Sequence, residues 1–213
     1  MMKNIFTVLT ISMFTIFVQT VFAQNNLQFG MHAGLNAAGF SGDEIDYESR
    51  IGFMAGFSVE IPLEDQIFNI ETGAYYSQKG AKGVYREPIE FPCCNAGNTG
   101  TLKTDYIDIP ILVKFDYERS GSFHPQLVAG PYLAVNIGAK ASEADNLYIE
   151  NIDELVRTVD FGLMIGGGGV LRRESLNIRL RASYSFGFAS VFDSEIEGDE
   201  KHRVFSITAG IIF

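Results

Sequence analysis

The chain contains no tryptophan and only two cysteines, Cys93 and Cys94, which are adjacent. Adjacent cysteines cannot join distant segments, because their disulfide closes only a strained local ring. We therefore expect a loop pair without a function, since two thiols alone are weak support for a metal or redox site. A basic excess is also lacking, and the formal net charge is −10. Because nucleic-acid backbones bind to basic surfaces, no nucleic-acid partner is expected.

A long apolar run is missing after residue 23, although one occurs before it. Lys3 gives a short basic start, 5–21 is predominantly apolar, and 21–23 (V-F-A) has the small-x-small form of a cleavage site. This pattern predicts a cleaved secretory signal peptide over residues 1–23 and export of the mature chain. The remaining residues, 24–213, contain no internal repeat, linker or low-complexity segment and predict a single domain.

Glycine and aromatic residues are plentiful, with 22 Gly, 18 Phe and 9 Tyr, and they favour β-structure. Apolar residues alternate with small or polar ones in eight runs. The runs are 27–36, 51–60, 68–77, 106–115, 123–136, 159–166, 176–186 and 203–213. Period-two alternation is typical of β-strands, and about ten residues is the length of a tilted strand that crosses a bilayer.

The connections between these runs alternate in length. The long, polar connections are 37–50, 78–104, 137–158 and 187–202, and the short ones are 61–66, 117–122 and 170–175. This order is typical of an even-stranded outer-membrane barrel with long outer loops and short periplasmic turns. The sequence therefore predicts an all-β fold, an eight-stranded antiparallel up-and-down transmembrane β-barrel.

The polar face of the runs decides which side of the wall meets lipid. A soluble calyx would carry many Lys and Glu on its outer, water-facing side, whereas this face is mostly Gly, Ser, Asn, Gln and Tyr. We therefore expect it to line a narrow lumen. Its predicted charge network consists of Glu71, Asp108, Lys114, Asp160, Arg179 and Arg181. We expect Arg179 and Arg181 to pair with Glu71, Asp108 or Asp160, because unpaired buried charges are costly, and we expect a stabilising role.

The last run, 203–213, ends on an aromatic residue. Its apolar face, predicted to meet lipid, carries Phe205, Ile207, Ile211 and Phe213. A strand with an apolar face needs a neighbour at both edges, so we expect it to close the barrel by pairing with the first strand. We interpret the same four residues as an assembly signal.

The run 106–115 (Y-I-D-I-P-I-L-V-K-F) resembles the Y-x-x-I-P-x-L-x-K signature of the PorT-like outer-membrane β-barrel family. The run 130–133 (G-P-Y-L) and the last strand resemble that family too. The resemblance implies an OmpX- or OmpA-like eight-stranded barrel in the outer membrane of a Gram-negative cell, inserted by the barrel-assembly machinery. The founding type is tied to a secretion and gliding apparatus, so an accessory barrel of such an apparatus is one alternative function.

A second alternative is an enzyme that modifies envelope lipids, a hydrolase or acyltransferase. Its candidate residues are His202 and Ser206 with Asp199 or Glu200, because a nucleophilic Ser needs a base and an orienting acid. We place His202 in the fourth outer loop and Ser206 on the lumen face. No cofactor is expected, and the spacing of a dedicated calcium loop is absent.

The outer connections carry most of the remaining charge. Their acidic residues include Asp43, Glu44, Asp46, Glu48, Glu143, Asp145, Glu150, Asp153, Glu154, Asp193, Glu195, Glu197, Asp199 and Glu200. The second connection is more basic, with Lys79, Lys82, Arg86 and Lys103. The first hypothesis is therefore a non-enzymatic barrel that displays acidic loops for adhesion, partner docking or envelope integrity. Its expected partners are outer-membrane lipid, lipopolysaccharide and an envelope or extracellular protein.

Overall fold

A computed structural model describes residues 27–41, 47–63, 67–84, 99–117, 122–143, 149–151, 156–173, 176–192 and 200–213. The strands are β1 (Gln28–Ser41), β2 (Tyr47–Pro62), β3 (Phe68–Val84), β4 (Thr99–Asp116), β5 (Phe123–Glu143), β6 (Ile149–Asn151), β7 (Val159–Arg173), β8 (Leu176–Ser190) and β9 (Lys201–Ile212). The predicted signal peptide and the Cys93–Cys94 pair lie outside the described residues and stay predictions.

Eight of these strands form a closed antiparallel barrel. The hydrogen-bonded order is β4-β3-β2-β1-β9-β8-β7-β5, and a further β4–β5 pairing closes the ring. The three-residue β6 adds to β5 at one end of the wall. The predicted eight-stranded antiparallel β-barrel is therefore confirmed.

The last strand closes the barrel against the first, as predicted. β9 pairs with β1 from Gly30↔Ile212 to Ser41↔Lys201, and its other edge pairs with β8. Phe29 and Phe213 donate backbone N–H groups to each other's carbonyl oxygens at 2.9 Å. We call the end of the barrel that holds this pair the inner end, and the opposite end the outer end.

The apolar residues that alternate with polar ones in the sequence lie on the outer face of the barrel wall, and the polar ones lie on its inner face. Phe57 and Leu127 point outward and are 63% and 61% exposed, whereas Glu71 and Arg179 point inward and are 0% and 1% exposed. The prediction that the apolar face lies outside and the polar face lines the lumen is confirmed. The lumen is filled by polar and charged side chains together with an apolar cluster that includes Leu112, Val128 and Met164, whereas most of the large apolar residues lie on the outer surface.

The strands are longer than the alternation indicated. β3 and β4 remain paired as far as Val84↔Thr99, well beyond the apolar runs that end at residue 77 and begin at residue 106. The first and last outer connections likewise lie at 42–46 and 191–200, between the ends of their strands. The sequence missed these extensions because most of their outward side chains are polar or small, so the apolar alternation weakens while the backbone pairing continues.

Two residues assigned to outer loops belong to the wall as a result. Lys79 lies on β3 and His202 lies on β9, and both side chains are buried in the lumen. Glu200, which was also assigned to a loop, is buried beside the start of β9. The assignments of Lys79 and His202 to loops were wrong because the strands predicted from the sequence were too short, whereas Glu200 does lie in the last connection.

Candidate functional site in the lumen

The inner half of the lumen contains a cluster of buried ion pairs centred on Glu71. Arg181 donates from Nη1 and Nη2 to the two carboxylate oxygens of Glu71 at 2.5 and 2.7 Å. Arg179 donates from Nη1 to Glu71 Oε2 at 3.0 Å. The two-point contact with Arg181 is the strong form of this interaction, because the planar guanidinium matches the carboxylate.

Glu60 extends the same cluster toward β4. Its carboxylate contacts Arg179 and Lys114, and Lys114 Nζ also lies 3.0 Å from Asp116 Oδ2. We call these six residues the inner charge cluster. Its members are Glu60, Glu71, Lys114, Asp116, Arg179 and Arg181. Three acids face three bases, so the cluster is neutral, which offsets the cost of removing each charge from water.

The inner charge cluster bridges opposite sides of the barrel. β3 and β8 are separated by β2, β1 and β9 along one side, so they lie four steps apart in a ring of eight strands. The contacts of Glu71 on β3 with Arg179 and Arg181 on β8 therefore cross the full width of the lumen. Side chains normally fill a lumen of this strand number, and here they fill it with ion pairs.

A second buried cluster lies nearer the outer end. Lys79 Nζ is 2.7 Å from Asp108 Oδ1, and it lies over the rings of Tyr106 and Tyr132, at 4.8 and 5.2 Å from their centroids. The hydroxyl of Tyr132 donates to Asp160 Oδ2 at 3.0 Å. We call this group, with His202, the outer polar cluster. The two tyrosine faces and the Asp108 carboxylate together stabilise the buried ammonium.

A small cavity separates the two clusters. Its volume is about 30 Å³, and its lining includes Glu71 and Arg181 from one cluster and Asp108 from the other. A single water needs about 10–15 Å³ measured in this way. The cavity therefore has room for about two waters.

The six residues predicted for the lumen network all face the lumen, but they divide between the two clusters. Of the three acids predicted to pair with the arginines, Glu71 contacts both, Asp108 pairs with Lys79, and Asp160 accepts from Tyr132. The predicted network did not contain Lys79 or Asp116, and it did not contain Glu60 although Glu60 lies on the polar face of its sequence run. A signal was available for Lys79, because it shares the inward parity of Glu71 on β3.

The candidate catalytic residues do not form a catalytic group. His202 Nε2 lies 3.3 Å from the hydroxyl of Tyr106, and the His202 ring packs edge-on against Phe40 and Tyr106. Ser206 donates its hydroxyl to Asn36 Oδ1 at 2.8 Å. Four residues along a strand span roughly 13 Å, so His202 lies beyond hydrogen-bond reach of the Ser206 hydroxyl, and Asp199 is outside the described residues.

Most of the acidic loop residues also fall outside the described residues. Glu48 is exposed at the outer end of β2. Across the described ranges, no group of three or more His, Cys, Asp or Glu is placed to hold a metal ion. In the same part of the chain, no helix is long and apolar enough to span a membrane.

The family model described as "Outer membrane protein beta-barrel domain" matches residues 22–193. The chain therefore belongs to this family of outer membrane protein β-barrel domains. The resemblance noted at 106–115 is confirmed at this level, and its PorT-like form stays a prediction. No curated protein sequence matches the chain.

Solved structures of outer-membrane barrels are similar to the chain in fold. OprG from Pseudomonas aeruginosa is 12% identical with a TM-score of 0.50, and the match covers 87% of this chain and 95% of OprG. Neisserial surface protein A is 17% identical with a TM-score of 0.48, covering 86% and 95% of the two chains. Ail of Yersinia pestis is 16% identical with a TM-score of 0.42, covering 87% and 98%. At such identities the likeness to OprG concerns the fold alone.

Proposed function

We propose that the protein is an exported, non-enzymatic protein of the Gram-negative outer membrane that displays its outer loops for adhesion, partner docking or envelope integrity. The barrel serves as a rigid, closed support in this proposal. The groups that contact other molecules are the side chains of the acidic connections at the outer end of the barrel.

The observation that carries this proposal is the ion-pair bridge across the lumen. Glu71 on β3 contacts Arg179 and Arg181 on the opposite wall, and a cavity of about 30 Å³ lies beside them. A pore for solutes would need an open, hydrated path of larger bore. A function at the outer end is therefore favoured over transport through the barrel.

The outer surface of the wall supports a membrane location. On β5, exposed apolar side chains extend from Phe123 to Ile137. About ten residues of a strand tilted by about 40° rise roughly 25 Å, the height of the apolar band of outer-membrane barrels, so this stretch is long enough to cross that band. Such a surface would be unstable in water, since soluble proteins rarely expose continuous apolar patches of this size.

The contacts of the alternative catalytic residues favour a structural role. Ser206 is engaged with Asn36, and His202 is enclosed by Tyr106 and Phe40. A nucleophile must approach its base to about 3 Å. The enzyme hypothesis has no geometric support at this site, so the loops are the better candidate for the function.

The proposal can be tested by neutralising the fourth outer loop in living cells. Asp193, Glu195, Glu197 and Asp199 would be changed together to Asn and Gln, with Ser206→Ala as the matched lumen variant. The folded amount in outer membranes would be measured by heat-modifiable migration. Envelope resistance to detergent and partners captured by surface cross-linking would give the functional readout.

We expect the loop variant to fold normally while it loses captured partners or envelope resistance, because the neutralised carboxylates no longer meet cations or basic partners. We expect Ser206→Ala to retain both properties. The opposite pattern would contradict the proposal and favour the hypothesis of a lipid-modifying enzyme. In that pattern Ser206→Ala loses captured partners or envelope resistance and the loop variant keeps both.

A further inference from the structure

Three exposed lysines lie together on the outward face of the wall near its outer end. Lys82 is on β3, Lys103 on β4 and Lys140 on β5, and these are neighbouring strands. Lys103 is directly opposite Lys140 in the β4–β5 ladder. Lys82 is opposite Thr101, which places it one pair diagonally from Lys103. We call these three residues the lysine patch.

The lysine patch is unfavourable for the isolated barrel. Like charges directly opposite each other on a sheet destabilise it, since their Cβ atoms are only about 5 Å apart. None of the three lysines forms an ion pair with a side chain that the structure describes, although Lys79 and Lys114 on the same strands do. The strand pairing that sets Lys103 against Lys140 therefore leaves concentrated positive charge that an external anion can neutralise.

Nearby acids offset this charge only in part. Glu48 on β2 is opposite Lys82, without an ion pair between them. Asp105 lies next to the patch on β4, where its Oδ1 accepts the hydroxyl of Tyr76 at 3.0 Å. Among the side chains that the structure describes here, the three lysines outnumber Glu48 and Asp105, although the whole chain has a net charge of −10.

The lysine patch lies at a defined position along the barrel axis, on the outer side of the exposed apolar residues. Below it, the apolar side chains of Ile109, Leu133 and Ile137 are exposed. Lys103 and Lys140 follow within a few residues toward the outer end of the same strands. If the apolar band occupies the hydrocarbon core, the lysines lie at the level of the outer-leaflet headgroups, where basic side chains meet anionic groups.

We propose that Lys82, Lys103 and Lys140 form a binding surface for the phosphate groups of lipopolysaccharide, with its acyl chains against the apolar side chains beneath. The inference rests on the outer-membrane location in the proposed function and goes beyond it, because it names a lipid-facing site that is separate from the loops. Phosphate suits the patch because one anion can contact two opposed ammonium groups.

The test uses the folded barrel in phosphatidylcholine nanodiscs, to which purified lipopolysaccharide is added at increasing amounts. The fraction of barrel that retains bound lipopolysaccharide is measured by native mass spectrometry. The variants are K103Q/K140Q, the charge-conserving K103R/K140R, and R172Q, which removes an exposed charge at the inner end. Dephosphorylated lipopolysaccharide and inorganic phosphate are the competing probes.

We expect K103Q/K140Q to bind lipopolysaccharide roughly thirtyfold more weakly than wild type, which corresponds to about 1 kcal/mol per lysine. K103R/K140R and R172Q should bind like wild type. Dephosphorylated lipopolysaccharide should bind weakly, and inorganic phosphate at matched concentration should not compete, because it lacks the acyl chains.

Equal affinity of K103Q/K140Q and wild type would overturn the inference and leave the proposed function intact. Competition by inorganic phosphate alone would also overturn it, because the patch would then be a general anion site. A wild-type chain that does not insert into the lipid at all would overturn the inference and the membrane location together.

Discussion

Glu71 provides the carboxylate at the centre of the inner charge cluster. Its carboxylate is fully buried and contacts both Arg179 and Arg181. Removal of one partner from a buried ion pair is strongly destabilising, because the remaining charge loses its compensation. Glu60 still contacts Arg179, so Arg181 would be the charge left without a carboxylate.

Glu71→Gln should therefore lower the free energy of unfolding by about 3–5 kcal/mol. The measurement is urea unfolding of the barrel folded in lipid vesicles. Glu48→Gln is the matched control, because the same change at an exposed site should cost within about 0.5 kcal/mol. Equal stability of the two variants would show that the inner charge cluster does not hold the barrel together.

At the scale of the strand, the last strand and its terminal residue face lipid and are also interpreted as an assembly signal. Substitutions at different positions can separate these two roles. Ile207 lies within the outward apolar face, whereas Phe213 lies at the inner edge of the wall and pairs with Phe29. A charge on the lipid face costs most at the middle of the bilayer and little near the interface. The depth of a residue along this strand therefore predicts how much an arginine at that position lowers the stability of the barrel.

Ile207→Arg should cost about 2–4 kcal/mol of barrel stability, and Phe213→Arg about 0–1 kcal/mol. Unfolding in vesicles measures both. In cells, Phe213→Arg should still reduce the amount of assembled barrel, since we interpret Phe213 as part of the assembly signal. Normal assembly of Phe213→Arg would remove that interpretation, and equal in-vitro costs would contradict the assigned depth of Ile207.

Parity along the strands explains what the sequence could predict. Glu71 and Arg179 alternate with apolar neighbours, so period two indicates their inward direction without any structure. Parity does not indicate which partner a residue meets across the lumen. The contact between Glu71 and Arg181 depends on strand order around the closed ring, and on the shear of that ring.

The ends of the strands were less predictable for a physical reason. Beyond the apolar band both faces of a strand meet polar surroundings, so the sequence contrast that marks the strand disappears. Lys79 and His202 lie in this zone, and both were assigned to loops although they are buried. Gly80, in the same stretch, has a positive φ of 123°, a backbone conformation that L-residues rarely adopt.

At the scale of the whole molecule, the lumen, the outer face of the wall and the connections differ in charge and polarity. The inner charge cluster is neutral, the exterior of the wall is mostly apolar below the lysine patch, and the net charge of −10 arises mainly in the connections. The barrel is thus a closed support whose interior stabilises it and whose outer end meets other molecules. This account requires that the lumen conduct no ions.

Planar-bilayer recording of the purified wild-type barrel tests that requirement most directly. A larger outer-membrane porin inserted under the same conditions is the positive control, and insertion of the barrel is verified by its heat-modifiable migration. The account predicts no stable conductance steps, because ion pairs bridge the lumen from β3 to β8. Reproducible steps from the inserted wild-type barrel would contradict it.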